Sequence, residues 1–117
     1  MTTAFQATGG VSLTIPSGTA VSNSLNVQQT VYDAEAFWVM APAALDALTF
    51  TWEASEDGTT WTTLQDSTAT DLKVPAAGHS IVYNGMITGM PFLRIKASGN
   101  VAADRVFRMH KTVRMPC

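Results

Sequence analysis

Cysteine is nearly missing from this 117-residue chain: the single Cys117 is its last residue. That excludes an internal disulfide framework and any cysteine-cluster metal site. Charge is also scarce, at 14% of residues with a formal net charge of -2. So weak and slightly acidic a balance argues against direct nucleic-acid binding as the main task, while 46% hydrophobic content argues against disorder. No apolar run approaches the roughly 18 residues of a membrane span, and Met1 to Gln6 lacks the basic start of a signal peptide. The chain is therefore expected to be made in the cytoplasm with no membrane partner, and its length suits one domain.

The charges that exist are unevenly placed. From Met1 to Tyr32 there is no Asp, Glu, Lys or Arg. Every acidic residue except Asp104 then lies between Asp33 and Asp71, and every basic residue lies between Lys73 and Arg114. Two outcomes are open: an acidic face and a basic face, or two segments that neutralise each other across neighbouring strands. A charge-free start of this length is costly in solubility unless it is covered, by its own domain or by a neighbour. We divide the chain into an uncharged N-terminal arm, residues 1–10, and a single domain, residues 11–117, ending in a basic strand or tail.

Apolar residues recur with a period of two: Val11, Leu13 and Ile15; Leu48, Phe50, Trp52 and Ala54; Leu93, Ile95 and Ala97; Phe107, Met109 and Val113. Further strands are expected over 21–27, 37–40, 61–64, 72–74 and 80–83, separated by turn chemistry about every ten residues. Abundant Thr, and no helical stripe longer than Pro42 to Ala47, point to an all-β fold. The expected architecture is an antiparallel β-sandwich of about eight to nine short strands, jelly-roll or immunoglobulin-like. The firmest hairpin joins Leu48–Ser55 to Thr60–Gln65, with Asp57 and Gly58 forming its structural turn. Trp52 and Trp61 would flank that turn and pack together, and Trp38, in the apolar run Phe37-Trp38-Val39-Met40, is expected inside with Trp52.

Catalytic ingredients are thin. His79 sits in a turn-like context, and His110 lies on the outward phase of the last strand with Arg108; no His-x-x-x-His spacing accompanies either. Cys117 is terminal, where no backbone holds a nucleophile in place. Glu53, Glu56 and Asp57 lack the ligand spacing of a calcium loop, and Gly9-Gly10 precedes a strand rather than a helix, so it is no phosphate loop. No enzyme activity, metal or cofactor is expected. Trp38, Trp52 and Trp61 could form a sugar platform, in which case Trp61, beside the turn, is the ring best placed for exposure. The stripe Arg94, Lys96, Arg105 and Arg108 lacks interleaved aromatics and favours a protein partner over nucleic acid.

Three segments carry a resemblance. They are Thr14-Ile15-Pro16-Ser17-Gly18-Thr19-Ala20-Val21-Ser22, the stretch from Leu48 to Trp61 with its Ser55-Glu56-Asp57-Gly58 hairpin, and Phe92 to Gly99 leading to Ala103-Asp104-Arg105. Together they resemble small structural proteins of tailed bacteriophages. The resemblance implies a virion component on the capsid exterior, a decoration (cement) protein that binds the major capsid protein and reinforces its contacts. Carbohydrate-binding β-sandwiches that mediate host-surface adhesion, and head-tail or tail proteins, are the alternatives. A homo-oligomer, dimer or trimer, would add multivalency. On that reading the candidate partner interface comprises Thr2, Thr3, Phe5 and Gln6 in the arm with Arg108, His110, Lys111 and Arg114 at the basic end. Asp104 and Arg105 are expected to form a structural pair at the entrance to the last strand.

Overall fold

The computed structural model describes residues 4–7, 11–26, 36–83 and 91–115. Among them the regular structure is entirely strand: β1 (Ala4–Ala7), β2 (Val11–Ile15), β3 (Leu25–Asn26), β4 (Ala36–Met40), β5 (Phe50–Ser55), β6 (Thr62–Thr63), β7 (Ser80–Tyr83), β8 (Phe92–Ala97) and β9 (Arg105–Met115). The alternating phases at β2, β5, β8 and β9 form strands as expected. The stretch 72–74 contributes only the isolated bridge from Lys73 to Thr51, and Asp71 just before it bridges to Gln65. The stretch 21–27 shrinks to a bridge between Val21 and Lys96 followed by the two residues of β3.

All pairings are antiparallel and form two sheets. In the first, β9 lies between β4 on one side and both β1 and β2 on the other, with β7 outside β4. The second runs β3-β8-β5-β6. Because β1 and β2 follow one another along the same side of β9, they occupy a single lane. Counted that way, the lanes run 1-8-3-6 and 2-7-4-5. This is jelly-roll order, with the first and last lanes paired and the second lane carried to the opposite sheet. It differs from the immunoglobulin order, in which the first two strands share a sheet.

The core fills the space between the sheets. Leu13, Ile15, Val39, Phe107 and Met109 face inward from the first sheet, and Trp52, Leu93, Ile95 and Ala97 from the second. Trp52 is fully buried, and its indole N–H donates to the Lys73 carbonyl and the Tyr83 hydroxyl, each at 3.1 Å. Tyr83 stands edge-on to Trp52 at 5.9 Å between ring centres and donates its own hydroxyl to the Lys73 carbonyl. Burial pushes the Tyr83 phenol up to about 12, so it stays a neutral donor throughout the stable range.

The β2 edge is blunted from within the chain. Asn23 accepts the Thr14 N–H at 2.8 Å and donates to the Ser12 carbonyl at 3.2 Å, occupying groups that an incoming strand would need.

Candidate partner interface

The uncharged arm and the basic end meet in one ladder. Ala4 pairs with Met115, Phe5 with Arg114, Gln6 with Val113 and Ala7 with Thr112. Residues 4–7 of the arm are thus a strand of the first sheet. On the other side of β9, β4 pairs from Met40 opposite Arg108 to Ala36 opposite Thr112. From Val113 to Met115, therefore, β9 is paired on one side only among the described residues. Eleven residues at about 3.3 Å each make β9 about 36 Å long. Its first half closes the sandwich with β2, and its second half, with β1, forms a ribbon. Of the expected interface residues, Phe5, Gln6, Lys111 and Arg114 lie on this ribbon and Arg108 and His110 just before it on the same strand. Thr2 and Thr3 lie outside the described residues.

Trp38 is not in the core. Its neighbour Val39 is fully buried, so strand alternation turns Trp38 to the outer face, where its ring lies 5.0 Å from that of His110. A run of four apolar residues carries no phase of its own, and only the partner strands decide which pair points inward.

The Trp52 and Trp61 rings also lie on opposite faces of the second sheet. Trp61 sits outside, with the Arg94 guanidinium over its ring at 4.2 Å. Arg94 Nε in turn donates to Glu53 Oε1 at 2.7 Å. Glu53 is buried at 6% exposure, and Lys96 approaches its other oxygen at 4.0 Å. The three tryptophans therefore lie apart, Trp52 in the core and Trp38 and Trp61 on the outer faces of different sheets, and form no common platform, and the guanidinium occupies one face of Trp61. A groove of about 500 Å³ beside the hairpin is lined by Ser55, Glu56, Asp57, Thr60, Thr62 and Pro91, among others. Ser55 Oγ and Asp57 Oδ1 are already engaged in the turn.

Asp57 Oδ1 accepts the N–H groups of Thr59 and Thr60, both at 2.9 Å, and the Ser55 hydroxyl at 3.0 Å. Ser55 Oγ accepts the Gly58 N–H at 2.8 Å, and Gly58 has φ +82°. That combination accounts for the Ser-x-Asp-Gly sequence, since a side chain at Gly58 would be strained.

Asp104 and Arg105 do not pair. They are adjacent, at the point where an extended strand begins, and such neighbours project to opposite sides. Asp104 accepts the Ser17 N–H at 2.8 Å, tying the turn after β2 to the loop before β9. Arg105 Nε donates to Asp46 at 2.7 Å, and Asp46 also accepts the Ala102 N–H at 2.9 Å. The ion pairs Glu53–Arg94 and Asp46–Arg105 are cross-chain neutralisation between the acidic and basic segments.

Three carboxylates are held below their ordinary range: Asp46 by the Ala102 N–H and Arg105, Asp57 by the Thr60 and Thr59 N–H groups, and Asp66 by the Thr68 hydroxyl and the Thr70 N–H. The unfolded chain protonates these groups first, so it binds more protons than the native state and stability falls as pH drops below about 4. Thermal unfolding from about pH 5 to about pH 2 should show this decline, and Asp57→Asn should flatten it. An unchanged slope in that variant would contradict the assignment.

Among the described residues, no three His, Cys, Asp or Glu side chains gather as a metal site, and no helix is long and apolar enough to cross a membrane. His79 is exposed, with Nδ1 2.9 Å from the Ala77 carbonyl. Compared with known proteins, the chain matches no family model, no curated protein and no solved structure.

Proposed function

We propose that this protein is a bacteriophage virion component, a decoration protein that binds the outside of an assembled capsid and bridges major capsid subunits without catalysis. The observation that carries the proposal is the pairing of the charge-free start with the basic end. Two segments more than a hundred residues apart in sequence form one ribbon at the margin of a jelly roll, with Phe5 opposite Arg114 and Gln6 opposite Val113. A neutral strand beside a strand with repeated cations offers backbone groups and positive charge to the same partner, and the end of β9, paired on one side only among the described residues, can extend a neighbour's sheet. The resemblance at the Ser55 to Gly58 hairpin and at Ala103-Asp104-Arg105 supports a capsid partner; both segments have structural roles here, which leaves the ribbon for recognition.

Seams between shell subunits present composite sites only after assembly, and several weak contacts made together release slowly. The protein is therefore expected to co-sediment with expanded shells of its own virion and not to bind free capsid subunits. Deleting residues 1–10, or changing Lys111 and Arg114 together to Glu, should weaken co-sedimentation about tenfold or more. The charge variant should keep its thermal midpoint, separating recognition from folding. Equal binding by the charge variant, or equal binding to free subunits, would overturn the ribbon mechanism.

A further inference from the structure

Each sheet has two edges, and the chain treats them unequally. In the second sheet both edge strands, β3 and β6, are only two residues long. At Ser22, just before β3, the side-chain hydroxyl rather than a backbone carbonyl accepts the Ile95 N–H at 2.9 Å, so that edge presents no regular row of backbone groups. In the first sheet Asn23 occupies the β2 edge, and β1 belongs to the ribbon. The remaining edge is β7, Ser80-Ile81-Val82-Tyr83, and it carries none of the devices that blunt an edge: no charge, no proline and no bulge in its register with β4. Nothing pairs with its outer side among the described residues, and Val82 is 65% exposed there.

The direction of its free groups follows from one bond. The Ala41 N–H donates to the His79 carbonyl at 3.0 Å, just beyond the β4–β7 ladder. In an antiparallel pair such facing groups recur at every second residue, so Ile81 turns its N–H and C=O to Val39, while Ser80 and Val82 turn theirs away from β4. An incoming strand with the same spacing satisfies them, and β7 is itself such a strand. Run antiparallel to its own copy and centred on Ile81, it sets Ser80 opposite Val82 of the copy, each giving and accepting a bond, with no outward group left over. The match holds on both sides of the sheet. The two Ile81 side chains come together on the inner side, where Ile81 already packs against the core, and each Val82 lies beside a Ser80 on the outer side. A two-fold contact sets a surface against itself, and a strand without charge meets no like-charge repulsion there. We infer that a second copy of this chain adds its β7 to β7, joining the two first sheets edge to edge in a closed, two-fold dimer. The ribbons then stand at the two far edges of the common sheet. The inference does not depend on the capsid reading, and its test needs no shell.

Sedimentation equilibrium of the full chain from about 10 µM to about 1 mM should show mass rising from the monomer to the dimer and stopping there. Two substitutions at one position separate backbone from side chain. Val82→Pro deletes the outward N–H and spares the bonds to β4, since proline is accommodated on an edge strand with its nitrogen toward solvent; it should weaken association about tenfold or more. Val82→Thr changes the exposed side chain, keeps the N–H, and should associate as the parent does. Ser80→Pro, at the first residue of the strand, repeats the deletion at the other outward N–H. Circular dichroism and a thermal midpoint near those of the parent identify a folded proline variant, and either one suffices. A parent chain that stays monomeric throughout, mass that climbs past the dimer, or a folded proline variant that associates undiminished would each overturn the proposal. So would a Val82→Thr variant that dissociates as the proline variants do, because the contact would then lie in the side chains of the sheet's face. Shell co-sedimentation that persists in the monomeric variants would leave the ribbon proposal standing.

Discussion

Trp52→Ala is expected to lower the unfolding free energy by about 3 to 5 kcal/mol, the usual cost of truncating a buried aromatic ring. Trp52 is fully buried between the sheets, with Tyr83 edge-on and its N–H satisfied by Lys73 and Tyr83. Removing it leaves a cavity and strips one donor from the shared carbonyl, a loss that is a large share of a typical domain's total stability. The thermal midpoint should fall by about 12 to 20 °C. Trp38→Ala is the control. Its ring lies on the outer face against His110, and such a stack contributes only about 0.5 to 1.5 kcal/mol. Urea unfolding at constant m-value measures both. Equal losses for the two variants would mean that the phase of β4 has been assigned to the wrong face.

That contrast also shows where the sequence could be read. Period-two alternation identified the inward residues of β2, β5, β8 and β9, because each has polar residues between its apolar ones, as in Leu93-Arg94-Ile95-Lys96-Ala97. It failed at Trp38, where four apolar residues in succession fit either phase. It also missed β1, since Ala4-Phe5-Gln6-Ala7 is too short and mixed to signal a strand; its pairing comes from β9, at the far end of the chain. Hairpin chemistry at Ser55 to Gly58 was legible because every bond in it is local. The jelly-roll order was open between two sandwich types, because periodicity says which side of a strand is apolar and nothing about its neighbour.

The same limit separates the ion pairs from the sequence. Asp104 and Arg105 are adjacent in the chain and look like a pair, yet Arg105 reaches Asp46, 59 positions away, and Asp104 serves Ser17, 87 positions away. Segregation of acidic from basic residues along the chain left two outcomes open, separate faces or neutralisation between segments, and two close pairs realise the second. Which acid meets which base was set by the strand order, with Glu53 directly opposite Arg94 in the β5–β8 register. The candidate interface was legible as two segments with unusual charge and became a single surface only when the first and last lanes paired.

Arg94→Met is expected to cost about 3 kcal/mol, the low end for removing one partner of a buried pair. Arg94 Nε lies 2.7 Å from Glu53, whose side chain is only 7% exposed beneath it. Methionine keeps an apolar stem over Trp61 and withholds both the charge and the donor, so buried Glu53 is left with only Lys96, at 4.0 Å, beside it. Glu53→Gln in the same chain removes the uncompensated charge and should recover most of the loss, giving a coupling energy of about 2 kcal/mol or more in a double-mutant cycle. Salt distinguishes this pair from a surface bridge. Raising NaCl to about 1 M shrinks the screening length to about 3 Å and abolishes exposed ion pairs, whereas a covered pair is screened much less. The coupling should therefore survive high salt. Additive effects of the two substitutions, or a coupling that vanishes at 1 M NaCl, would show that Glu53 is solvated and that the second sheet's outer face owes its cohesion to the stack of Arg94 on Trp61 alone.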